Sequence, residues 1–196
     1  GIFHFLKIEI KNRFSEGLEM FGDERSGRVA VVAHCILNQN SRVSGLSERS
    51  SMITEIIELL VEKDVGVIQM PCPELKYAGL LREGRTKEQY DSVMFRSYCR
   101  RLAEDIVDQI LEYRKGEIRI MIIIGVDDSP SCGVGEELQA RDRERGLSHH
   151  EMTGSGVLIE ELNSVLRENN LSIPFYGVDY ETLREDLANV AKIIED

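Results

Sequence analysis

The chain has 196 residues, 42% of them hydrophobic, enough for one α/β domain with a full core and no need of a disulfide scaffold. Its net charge of −11, from 35 acidic against 24 basic residues, excludes the basic footprint of a protein that grips duplex nucleic acid. No long uninterrupted apolar run predicts a membrane helix, and the opening GIFHFLKIEIKNRFSEG mixes charges into its apolar residues, unlike a secretory signal. A cytoplasmic protein is expected.

The elements alternate between strand-like and helix-like patterns. Residues 1–27 form an extension of uncertain structure, and 28–196 read as a single α/β domain. RVAVVA (28–33) is a buried strand, 51–64 a helix, VGVIQM (65–70) a second strand, and 87–116 one long helix ending at Gly116. IRIMIIIGV (118–126), the most apolar run, predicts the central strand. A polar loop follows over 125–150, then a helix over 155–169, a strand over 173–178 and a closing helix over 181–195. This order predicts a three-layer, Rossmann-like, mostly parallel sheet flanked by helices.

Four cysteines are present, Cys35, Cys72, Cys99 and Cys132, and no two form a C-x-x-C pair. Without a secretion signal they are expected as free thiols or metal ligands rather than disulfides. Each of three strands runs straight into one of them. RVAVVA leads to His34-Cys35, VGVIQM to Pro71-Cys72-Pro73-Glu74, and IRIMIIIGV to Asp127-Asp128-Ser129-Pro130-Ser131-Cys132-Gly133. Ligands of open α/β sheets bind beyond the carboxyl ends of the strands, so parallel strands deliver these three thiols to one edge. Cys99 falls instead in a helical stripe with Leu102, Ala103, Ile106, Ile110 and Tyr113, and is expected as a small buried hydrophobe.

Three thiolates without an obvious fourth ligand leave two centres open. One is a 4Fe-4S cluster with one open iron. The other is zinc, completed by His34, His149, His150 or water. His34 adjoins Cys35, and strand alternation would aim it away from that sulfur. Glu74, two residues from Cys72, is a candidate general base, with surface or helix-capping duty as the plainer reading. Ser129 and Ser131 flank Pro130 and are either donors to a substrate or turn residues. Gly154-Ser155-Gly156 opens a helix, so its N–H groups can cradle an anion or merely start the helix. Arg82 with Arg85, and the arginines over 141–145, are short basic clusters able to hold one phosphate or carboxylate, or else solvated loop faces.

The segments CILNQNSRVSG, PCPELKYAGL, GVDDSPSCG and GSGVLIEEL, in this order, resemble the thiouracil desulfurase family, the TudS-like desulfidases. The resemblance spans residues 31–178, and CPE and SPSCG carry most of it. It implies a compact α/β fold and a 4Fe-4S cluster held by Cys35, Cys72 and Cys132, whose fourth iron binds the sulfur taken from a small thiolated substrate. It also implies Glu74 and Ser129 as the catalytic pair; Ser131, Gly154 and Gly156 are expected at the substrate. Asn38 stands where the family usually has glycine, and LKYAGLLREGR replaces a double-glycine and Pro-Arg segment, which marks a divergent branch and bears on the substrate. The rival classes are a zinc hydrolase and a non-catalytic metal or cluster protein using the same thiols.

Overall fold

A computed structural model describes residues 22–135 and 154–195. Its elements in chain order are β1 (Arg28–Ala33), α1 (His34–Leu37), a 3-10 turn (Gln39–Ser41), α2 (Thr54–Glu62), β2 (Gly66–Met70), α3 (Pro73–Ala78), α4 (Lys87–Tyr90), α5 (Val93–Lys115), β3 (Arg119–Val126), α6 (Val157–Glu168), β4 (Phe175–Val178) and α7 (Leu183–Glu195). The expected extension before residue 22, His149, His150 and the arginines at 141–145 lie outside the described residues. Among the described residues, no helix is long and apolar enough to cross a membrane.

The four strands form one sheet in the order β2-β1-β3-β4, and every pairing is parallel. β1 and β3 are buried almost throughout, and β3 carries six buried residues in succession over 121–126. Such unbroken apolar strands need helices on both faces. α5 packs along α6, and α2 packs against α7; each pair also touches the sheet. The right-handed crossover rule puts α2 on one face and α5 with α6 on the other, because β1 to β2 runs one way along the sheet and β2 to β3 to β4 the other. The fold is therefore doubly wound, and the direction switches between β1 and β3.

Strand register sets the level at which the chain leaves the sheet. Ala33 pairs with Met70, so Cys35 and Cys72, each two residues further on, leave β1 and β2 side by side. Val126 pairs with Val178, which sets the ends of β3 and β4 level in the same way.

The long helix expected over 87–116 is two helices. Ser92 caps α5, its side chain accepting from the Phe95 N–H, and α4 ends at Tyr90. A serine that offers its oxygen to the third N–H of a new helix ends the previous one, a signal that competes with the apolar period. The rest of α5 follows the expected stripe: Phe95, Cys99, Leu102, Ala103, Ile106, Val107 and Ile110 are buried. The short helices α1 and α3, directly at the cysteines, have too few turns to show a period in sequence.

Candidate metal centre

Cys35 sits in the first turn of α1, directly past β1. The helix begins at His34, so strand alternation stops there and does not govern where His34 points. The His34 Nδ1 atom is buried and has no hydrogen-bond partner among the described residues. Cys72 is the N-cap of α3, with Pro73 in the first turn, and its sulfur accepts the Leu75 N–H at 3.4 Å.

Cys132 lies six residues past β3 yet returns to the strand end. The loop folds back so that the Val126 N–H donates to the Cys132 carbonyl at 3.2 Å, while Ser129 N–H donates to Val126 and Gly133 N–H to Ser129. The return leaves no room for a side chain at Gly125, where a Cβ would stand 2.1 Å from the Cys132 carbonyl oxygen. Ser129 Oγ lies 3.2 Å from both the backbone nitrogen and the sulfur of Cys132.

All four cysteines are free. Interaction with Cys132 and burial hold the Cys35 thiol well above the ordinary thiol range, while Cys35 and Ser129 lower Cys132. Burial pushes Cys72 up to about 11, partly offset by the Leu75 N–H, and its charge is felt at Cys35. β1 and β3 flank the topological switch, the position where doubly wound sheets bind ligands, so Cys35 and Cys132 stand past that point and Cys72 one strand away. Cys99 belongs to the core, with burial pushing it up to about 12.

Among the described residues, no three His, Cys, Asp or Glu side chains are gathered around a point that one metal ion could occupy. Zinc holds thiolates at about 2.3 Å, drawing three sulfurs tightly around one centre; a four-iron cluster is a wider object, its thiolates spread over its corners. Free thiols on three loops, one accepting the Leu75 N–H and one donating to the Ser129 hydroxyl that could reverse toward a thiolate, fit a cluster's donor set and its surrounding hydrogen bonds.

Glu74 is buried beside these loops. Ser131 Oγ donates to its Oε1 at 2.6 Å, and Arg82 Nε and Tyr90 OH approach Oε2 at 3.3 and 3.4 Å. Arg82 is not part of a surface basic cluster: its side chain is 4% exposed, and it also donates to the carbonyls of Ser41 and Gly79. Arg85 lies over the Tyr90 ring, 5.5 Å from its centroid. Glu74, Ser41 and Ser131 belong to the chain after β2, β1 and β3, so this network fastens all three cysteine-bearing segments together. Sequence reading missed Arg82 and Tyr90 in this role because nothing in an eight-residue or sixteen-residue separation announces a tertiary ion pair.

Of the two readings of Gly154-Ser155-Gly156, anion cradle or plain helix entry, the hydrogen bonds of the described residues favour helix entry. The Val157 N–H donates to the Pro130 carbonyl, and those of Leu158 and Ile159 to the Ser131 carbonyl, at 3.1, 2.9 and 3.4 Å. Gly156 N–H donates to Gly133. The first turn of α6 thus satisfies its orphan donors on the SPSC loop and holds that loop in place. Gly156 allows the approach, since a Cβ there would stand 2.4 Å from the Ser131 carbonyl carbon. Ser131 is likewise buried, its hydroxyl given to Glu74, rather than presented to solvent.

The fourth strand contributes Tyr180, two residues past Val178 and also unread in the sequence. Its hydroxyl accepts from Gln39 Nε2 at 2.8 Å and from Arg42 Nη1 at 2.5 Å, and the Arg42 guanidinium lies 4.9 Å from the ring centroid. Gln39 Nε2 also donates to the Cys35 carbonyl at 2.7 Å.

The chain matches the model of the family described as "Putative 2-thiouracil desulfurase" over residues 28–144. It belongs to this family. An uncharacterised protein of Methanocaldococcus jannaschii is 34% identical over 168 residues, covering 86% of this chain and 95% of that protein. Among solved structures, a 4Fe-4S-dependent thiouracil desulfidase, TudS, is similar at a TM-score of 0.42 and 23% identity, covering 84% of this family member and 99% of that chain.

Proposed function

We propose that this chain is a desulfidase that removes sulfur from a small thiolated compound of the thiouracil type by non-redox hydrolysis, using a 4Fe-4S cluster held by Cys35, Cys72 and Cys132. The observation that carries the reading is that the segments bearing three free thiols leave three neighbouring parallel strands at one edge of the sheet and are fastened to one buried carboxylate, Glu74, through Ser131 and Arg82. Family membership and the CPE and SPSCG motifs support it.

The net reaction exchanges a thiocarbonyl sulfur for a water oxygen and releases sulfide, so no electron is gained or lost. When bound, the cluster supplies an open iron, a Lewis acid suited to a soft leaving sulfur. The protein supplies the proton handling. Glu74 accepts three hydrogen bonds, two at Oε2 and one at Oε1, which leaves one lone pair on Oε1 for the attacking water. Arg82 compensates the buried charge and fixes the direction in which that lone pair points. Ser129, 3.2 Å from the Cys132 sulfur and 3.4 Å from Ser131 Oγ, orients the substrate or returns the proton to it.

The test is sulfide release from thiouracil, its nucleoside and its nucleotide by protein loaded anaerobically with iron and sulfide. Glu74→Gln should keep its iron and lose turnover by about 10²-fold or more, the scale of general acid–base assistance, and Ser129→Ala should lose less. Equal rates for wild type and Glu74→Gln would remove Glu74 from catalysis. No sulfide from any of the three compounds would overturn the substrate class.

A further inference from the structure

We propose that the free side of β2 is the interface of a homodimer, in which two copies pair their β2 strands antiparallel about a two-fold axis and join their sheets into one.

The strand itself invites this. β2 is the outermost strand on its side of the sheet, and β1 is its one partner among the described residues. Half of the N–H and C=O groups of such a strand point away from its neighbour and form a template for another strand. Proteins blunt exposed edges with charge, proline or a bulge. The β2 run GVIQM has no charged residue and no proline, and its register with β1 runs without a shift. The other outer strand, β4, has four residues, all buried, and directly follows Pro174. In β2 only Ile68 and Met70 are buried, on the face that α2 covers, while Gly66, Val67 and Gln69 are exposed.

Both helical layers extend this surface. At the end of α2, Lys63 pairs with Glu195 of α7, which marks the flank of α2 turned inward over the sheet. Val61, two residues earlier, falls on the opposite flank, beyond β2, and is 68% exposed. On α5, Arg96 and Arg100 pair with acids of α6. Since α6 crosses from β3 to β4, the opposite flank of α5 faces β2. That flank carries Tyr98, Arg101, Asp105 and Asp108 at helical spacing.

A second copy is the occupant that fits strand and flanks together. A two-fold axis through Ile68 is self-complementary. It sets Val67 of one copy against Gln69 of the other on the open face, and Ile68 against Ile68 on the α2 face. It also turns the two α5 stripes end to end. The ion pairs of α5 are made by Asp91, Arg96, Arg100, Glu104, Glu112 and Lys115, which leaves Arg101, Asp105 and Asp108 unpaired among the described residues. Arg101 lies over the Tyr98 ring, 5.9 Å from its centroid, toward one end of the stripe, and the two acids lie toward the other. Reversal therefore brings the cationic half of each copy to the acidic half of its mate. A stable dimer covers about 800 Å² on each partner, more than a five-residue strand supplies, so both helix flanks belong to the interface.

The full chain, kept reduced, should sediment at twice the mass of one chain, with a dissociation constant of about 10 µM or tighter. Val67→Lys places a charge on the open edge and should weaken the dimer at least about tenfold, with circular dichroism unchanged. Val93→Lys, on the α6 flank of α5 and also exposed, should leave it intact. Arg101→Glu should weaken it, and adding Asp108→Arg should recover part of the loss. Dilution should speed hydrogen exchange at residues 67–69. A chain that stays monomeric at about 100 µM overturns the proposal. Slow exchange over β2 in that monomer would give the edge to another segment of the same chain, and fast exchange would leave it bare. A dimer as tight in Val67→Lys as in wild type also overturns it, by placing the interface elsewhere.

Discussion

Arg82→Met is the most informative perturbation of the network that joins the three cysteine segments. Both side chains of the Arg82–Glu74 pair are nearly removed from water, at 4% and 10% exposure. Breaking one partner of such a pair leaves a buried charge uncompensated, a cost of about 3–5 kcal/mol. The Ser41 carbonyl also loses its donor in a buried setting, for about 1 kcal/mol more. The sum, about 4–6 kcal/mol, is a large part of the roughly 5–15 kcal/mol that stabilises an ordinary domain. It should lower the melting temperature by on the order of 10 °C or more. Arg100→Met is the matched control. It breaks pairs with Glu104 and Glu168 whose acids are half-exposed, and should cost under about 1 kcal/mol. Urea melts of the metal-free, reduced protein followed by circular dichroism measure both. The double variant Glu74→Gln, Arg82→Met should lose at least about 1–2 kcal/mol less than the two single losses added together, since it removes both charges. A loss for Arg82→Met no larger than that of Arg100→Met, or strict additivity in the cycle, would refute the account of a buried hub.

Other substitutions probe the site one support at a time. Gly156→Ala puts a Cβ 2.4 Å from the Ser131 backbone, so the SPSC loop must shift; iron uptake should fall sharply while circular dichroism still reports a folded α/β protein. Cys72→Ser keeps an acceptor for the Leu75 N–H and so should preserve stability to within about 1 kcal/mol, yet lose iron, which separates the capping duty of this thiol from ligation. Cys99→Ala should leave iron content unchanged at a packing cost of about 1 kcal/mol. With its thiol pushed up to about 12 by burial, Cys99 in the wild type should resist alkylation at pH 8 until the protein unfolds, as read by mass spectrometry.

Strand positions were the legible part of this sequence. β1 matches the run RVAVVA residue for residue, and β3 loses only Ile118 from its expected span, because continuous β-branched runs between turn residues have few other uses. From those strands alone, Cys35, Cys72 and Cys132 could be referred to one edge of a parallel sheet. Cys99 was separable by its helical stripe. Local chemistry was harder to see. The Ser92 cap interrupts an otherwise convincing period, and α3 was hidden although Cys72-Pro73 places proline at a helix start. The partners of Glu74 and Cys35 were out of reach. Arg82, Tyr90, Tyr180 and Gln39 acquire their roles only from distances between loops, and Gly156, for which the sequence left anion cradle and plain helix entry both open, is a point of close packing.

Each of the three thiols hangs from a different strand, and this has a consequence for the order of events in the cell. They emerge from the ribosome one after another, with a helical layer between each pair, and no contiguous stretch shorter than the span from β1 to the loop past β3 contains the full set. Parallel pairing between distant segments is among the slower steps of folding, and β3 must settle against the far side of β1 before Cys132 can meet Cys35. For the proposed cluster, iron delivery then has a natural checkpoint. A stalled or truncated chain offers scattered thiols and no common seat, so only a polypeptide that has laid β3 against β1 would be a competent recipient for the proposed cluster.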